Sequence, residues 1–184
     1  MRPVAARPGC ILLAAMKLYL NKMRGAGPAP VRLPAKSIVR GFLGALLAIG
    51  TVAYLAASSG TPLVLGSFGA SCVLLFSFPD NPFSQPRNVI GGHFVSSLAG
   101  LLFLAVFGSA WWSTALALAS AIALMHVTRT VHPPAGSNPV IIMLTSPTWD
   151  FLVRPTLLGA VILVAVALVF NNTAKQTQFP RYWI

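Results

Sequence analysis

Four apolar runs, at about 38–57, 89–108, 112–131 and 151–170, constrain this chain more than any other feature. A helix rises 1.5 Å per residue, so about 20 residues cross the ~30 Å hydrocarbon core of a bilayer. Four such runs in 184 residues leave little sequence for anything except a polytopic, all-α membrane protein. The charge content agrees. Only 8% of residues are charged, against about 25% in soluble domains, and the only acids are Asp80 and Asp150. A soluble surface needs many more ionised groups, whereas lipid tails need none.

Two further apolar stretches are shorter. Residues 62–78 would span ~26 Å as a helix and 133–146 only ~21 Å. The second holds Pro133, Pro134 and Pro139, so its helix is expected to start at the prolines. Short segments interrupted by Gly or Pro beside full spans are typical of broken or re-entrant helices.

The six elements fall into two sets related by an offset of 67 residues: Gly69, Arg87 and Gly92 fall on Gly136, Arg154 and Gly159, with Val73, Leu74 and Leu75 on Val140, Ile141 and Ile142. The expected layout is four full spans plus two short membrane segments. They form two similar halves, about 37–108 and 109–175, each reading long helix, short broken or re-entrant helix, long helix. If both short segments cross, the repeat is inverted; if both re-enter, four spans remain. Either way the two termini share a side. Trp111 and Trp112 are expected at one interface, and Tyr182 and Trp183 at the cytoplasmic one.

The net charge of +11 first suggests a nucleic-acid partner. Position decides against it. Eight of the thirteen cations, from Arg2 to Arg40, precede or open the first long run. A basic segment there, residues 1–36, holds that end on the cytoplasmic side of an inner (plasma) membrane. Residues 9–23 are expected to form an interfacial amphipathic helix, with an organelle transit peptide as the alternative. Cys10 and Cys72 offer no disulfide framework, and His93, His126 and His132 lie at no metal-ligand spacing, so no metal or cofactor is expected. Paired carboxylates and nucleophile–base arrangements are also missing, so an enzyme is not expected.

The densest polar cluster runs from Arg129 through His132, Pro133, Pro134, Ala135, Gly136, Ser137 and Asn138. It joins the end of one helix to the start of a short one. Helix N-termini offer free N–H groups and partial positive charge, Gly136 permits close approach, and Ser137 and Asn138 add neutral donors. Arg129 adds formal charge. Such a set suits a small anion; the alternative is a Pro/Gly break whose polar groups cap one another. The counterpart in the first half is Ser67, Gly69 and Ser71, where substrate contact and tight helix packing remain alternatives. Phe68 either lines a path or packs. Arg87 either draws anions into a vestibule or pairs with Asp80, and His93 lies inside the following helix at membrane depth. Arg154 has a structural partner in Asp150, four residues earlier.

The string HPPAGSNP strongly resembles the signature of the HPP family of integral membrane proteins, and FGASCVLLF, QPRNVIGGH and FPRYW look like its bacterial members. The resemblance covers about 36–184. It implies four transmembrane helices and, through plant and cyanobacterial relatives, a link to nitrite transport. Ser137 stands where the family usually has Ala or Gly. The soluble regulatory domains of some relatives are expected to be absent. The combined expectation is a transporter or channel for a small inorganic anion, nitrite by resemblance, acting as a homo-oligomer in the bilayer. The rival is a non-transporting membrane subunit whose HPP segment packs or binds a partner.

Overall fold

The computed structural model describes residues 16–25, 27–174 and 177–183, and among these every regular element is helical. They divide into two units between Leu33 and Pro34. In the first, residues 16–22 are helical with exposed side chains. The rest of the amphipathic helix expected at 9–23, and Cys10, lie outside the described residues.

The second unit holds α1 (Ala35–Ser59), α2 (Ser67–Ser77), α3 (Pro86–Phe107), α4 (Trp111–Val127), α5 (Asn138–Thr145) and α6 (Leu158–Asn171). A 3-10 turn, Pro133–Ser137, leads into α5, and the irregular stretch Trp149–Leu157 leads into α6. Three segments are long and apolar enough to cross a bilayer: Ala35–Ser59, Pro86–Phe107 and Trp149–Asn171. Helix α1 turns Phe42, Leu46, Leu47 and Tyr54 outward, exposure that lipid accommodates and water would not.

Two apolar runs yield less helix than their length suggests. The run 112–131 stops at Val127 because Arg129 takes a left-handed conformation (φ 56°). The Arg129 N–H then bonds the His126 carbonyl and the Thr130 N–H bonds that of Met125, closing the helix. In 62–78, residues 61–65 carry no regular structure and helix begins only at Ser67. The third short element starts at Pro133, where proline supplies the helical φ and its missing N–H costs nothing.

Close approaches at glycine fix the packing. Gly41 and Gly44 of α1 meet Ser77 and Phe76, so α2 runs back beside the start of α1. Gly159 packs on Phe68 and Leu63, and the Asn171 amide donates to the Leu75 carbonyl at 3.0 Å, so α6 runs parallel to α2. Gly92 packs on Thr130 and His132 while Gly100 packs on Pro139 and Ile142, which sets α5 parallel to α3. The start of α1 and the ends of α2 and α6 therefore gather at one end of the bundle. The Arg40 guanidinium lies 5.3 Å from the Phe170 ring centre at that end.

Candidate functional site: a buried polar cluster

The segment Pro133–Asn138 and the start of α2 meet the middle of α3 in the interior. Ser67, Ser71, His93, Ser96, Ser97, His132, Asn138 and Thr156 are all buried, none more than 3% exposed. Burying this many polar groups is costly unless each is bonded. Here each is.

Asn138 is one hub. Its carbonyl oxygen accepts from Ser67 Oγ at 2.8 Å, and its amide donates to Ser97 Oγ at 2.9 Å and to His93 Nδ1 at 3.0 Å. Ser71 is the other. Its Oγ lies 3.0 Å from His93 Nε2 and 2.8 Å from His132 Nε2, so one hydroxyl bridges two imidazoles. Ser97 continues the chain to Thr156 at 3.0 Å. His132 Nδ1 meets the Phe83 carbonyl at 2.7 Å, and Ser96 donates to the Ala135 carbonyl at 2.6 Å.

The chemistry of the partners assigns the protons. A carbonyl only accepts, so His132 carries hydrogen on Nδ1. With both rings neutral, His132 Nε2 must accept from the Ser71 hydroxyl, and Ser71 then accepts from His93 Nε2–H. His93 Nδ1, left with a lone pair, accepts from Asn138. One consistent direction thus runs from Asn138 through His93, Ser71 and His132 to Phe83. Ser71 has a second acceptor within reach, the Ser67 carbonyl at 3.2 Å.

Of the residues singled out in the sequence, Ser67, Ser71, His93, His132 and Asn138 come together in this cluster. Ala135 borders it through its carbonyl and Gly136 is half-buried beside it. The N–H groups of Ala135 and Asn138 bond the carbonyls of His132 and Ala135, so these two donors are engaged within the turn. Ser137 and Gly69 are exposed, with the Ser137 hydroxyl bonded to the Pro134 carbonyl. Arg129 is exposed, and Arg87 donates to the Thr128 carbonyl at 3.1 Å, so both guanidinium groups stand outside the cluster on the His132 side. Asp80 pairs with Arg181 at 2.7 Å and not with Arg87, while Arg154 pairs with Asp150 at 3.0 Å. Phe68 packs edge-on against His93, ring centres 5.1 Å apart.

Ser96, Ser97 and Thr156 are additional members. The sequence signal for the serines was present: they follow His93 by three and four residues, which on a helix is one face. Thr156 carries no such signal.

The C-terminal tail supports the cluster from outside. Phe179 is buried, its backbone held by the Asn172 side chain at 2.6 and 3.0 Å. The Arg181 N–H donates to Gln85 Oε1 at 2.7 Å, and Gln85 donates in turn to the carbonyls of Pro79 and Asn81. The Tyr182 hydroxyl reaches Pro82 and Asn88, each at 3.2 Å, and Asn88 bonds the Val131 carbonyl at 2.9 Å. The tail thus straps the loop that carries Phe83, the acceptor for His132.

Residues 30–180 match the family described as "HPP, transmembrane region". The chain is also similar to two transmembrane proteins of Dictyostelium discoideum. One is 32% identical over 94% of this chain and 60% of the relative; the other is 39% identical over 66% of this chain and 45% of the relative. This chain thus spans 60% and 45% of the length of those curated relatives. No solved structure matches it. With the family match covering most of its length and apolar helices of spanning length beneath it, this chain belongs to the HPP transmembrane-region family.

Proposed function

We propose that this chain carries a small inorganic anion, nitrite foremost, across a cell membrane together with a proton, and that the cluster around Ser71 and Asn138 holds the anion. The observation that carries this reading is a hydroxyl bridging two imidazoles deep in an apolar bundle, with no carboxylate in the set. An anion leaving water for such an interior needs fixed donors and a compensating charge. The hydroxyls of Ser67, Ser71 and Ser97, the Asn138 amide and the histidine N–H groups supply the donors. A proton on His132 Nε2 supplies the charge. The network has room for it: Ser71 would swing its hydrogen to the Ser67 carbonyl and accept from both rings. Arg129 and Arg87 act at a distance, drawing anions toward the His132 side.

The proposal includes a two-half layout. Gly92 meets Thr130, and Gly159 meets Leu63; both pairs are related by the 67-residue offset, with the halves exchanged. Reciprocal contact of this kind is what a two-fold relation between repeats produces. The chain course favours crossing over re-entry of the short segments, giving six passes and both termini on one side, which the basic residues assign to the cytoplasm of an inner (plasma) membrane. A homo-oligomer is part of this reading, because a bundle of six helices, three of them short, encloses little space.

A second reading, a non-transporting subunit, draws on the fact that every polar atom of the cluster is already bonded within the protein. Liposomes containing only this protein separate the two. Nitrite uptake that rises with an imposed inward acid gradient and is lost in a folded His132→Gln variant is the expected result. Absence of flux for nitrite, nitrate, formate and chloride alike would favour the subunit.

A further inference from the structure

A cavity of about 620 Å³ opens at the end of the bundle where α1 starts and α6 finishes, away from the polar cluster. Lys36, Ser37 and Arg40 line one wall; Phe76 and Ser77 at the end of α2, Pro79, and Thr173, Ala174 and Thr177 beyond α6 contribute the rest. We infer that this cavity binds a phosphate group, as the headgroup of an anionic lipid or as free phosphate.

Charge balance at a fixed depth points to phosphate. The sequence has two acidic side chains, and both are engaged elsewhere: Asp80 by Arg181 and Asp150 by Arg154. Neither is left for Lys36 or Arg40. Arg40 is half-buried, its guanidinium against the Phe170 ring, so water compensates its charge only in part. It lies five residues into α1, roughly 7 Å from the start of that helix. That depth is where lipid phosphates sit if the start of α1 marks the membrane interface. Arg presents a fork that matches phosphate oxygens, Lys a point charge, and Ser37 and Ser77 offer hydroxyl donors, while the Thr173 hydroxyl is engaged by the Phe170 carbonyl at 2.7 Å. Among the described residues, the cavity wall contains no acid to repel the ligand.

The test uses the full chain in detergent. Native mass spectrometry measures retention of added phosphatidylglycerol against phosphatidylcholine, and a thermal-shift series measures stabilisation by inorganic phosphate against chloride at equal ionic strength. The expected result is preferential retention of phosphatidylglycerol, stabilisation by phosphate, or both, with the two arms identifying the source. Each cation near an anionic surface contributes ~1 kcal/mol, so Lys36→Gln and Arg40→Gln are each expected to weaken binding about fivefold, while Arg40→Lys keeps most of it. Lys36 is exposed and its replacement leaves packing intact, which keeps the test decisive should Arg40→Gln fold poorly. Equal retention of both lipids together with equal effects of phosphate and chloride, or variants that bind like the parent, would overturn the inference.

Discussion

Gly92 lies so close to the backbone of Thr130 that a β-carbon on it would stand 2.7 Å from the Thr130 carbonyl oxygen. The contact seats the turn that delivers His132 against α3, and His132 Cβ would be equally near. At Gly159 the corresponding backbone neighbour is the Leu63 carbonyl, at 2.9 Å. Backbone atoms cannot rotate away as a side chain can. Gly92→Ala and Gly159→Ala are each expected to destabilise the protein by about 1–3 kcal/mol through overpacking. Gly50, with open space around it, is the control: Gly50→Ala should be neutral or slightly stabilising. Thermal unfolding in detergent reads all three, and a Gly92→Ala protein as stable as the parent would contradict the packing.

Asn138 bonds three side chains at once, so its removal strands several buried groups. Asn138→Ala is expected to cost about 2–3 kcal/mol, more than Ser96→Ala, which removes one of two donors to the Ala135 carbonyl and leaves the Asn138 N–H in place. Under the transport proposal it also stops flux, and a variant that unfolds at the parent temperature yet transports nitrite would separate the cluster from function.

Arg129 combines an awkward backbone with a useful charge. Because a left-handed φ suits glycine, Arg129→Gly is expected to raise stability by about 0.5–1 kcal/mol. If Arg129 attracts anions, the same variant lowers nitrite uptake, most at low salt, while Arg129→Lys retains it. Uptake in Arg129→Gly equal to the parent at low salt would remove Arg129 from the proposal.

The tail offers a comparison between a surface charge pair and a buried amide. The Arg181–Asp80 pair is about half exposed, so Arg181→Gln should cost under about 1 kcal/mol, and the backbone bond to Gln85 survives it. Gln85 is fully buried and serves three backbone groups, so Gln85→Ala should cost about 2–3 kcal/mol. Denaturant or thermal unfolding of both variants checks the ranking.

That this protein lives in a bilayer, and where its helices fall, can be read from the order of its residues. Twenty-residue apolar runs and two acids require a bilayer, the prolines at 133 and 134 mark the start of a short helix, and the spacing of Asp150 and Arg154 is enough to foresee their pair. These are local properties, fixed by neighbours a few positions away. Which side chains meet depends on the folded bundle. Asn138 bonds partners 71, 45 and 41 residues away, Arg181 finds Asp80 across 101 residues, and Thr156 joins Ser97 across 59. In a soluble helix the polar face would tell which residues point inward. Here helices such as α6 are apolar on nearly every side, because lipid and protein interior are equally apolar, so periodicity cannot give their rotation. What sets it is the close fit of glycines against neighbouring backbone and the need of each buried polar group for a partner. Both are properties of the assembled bundle.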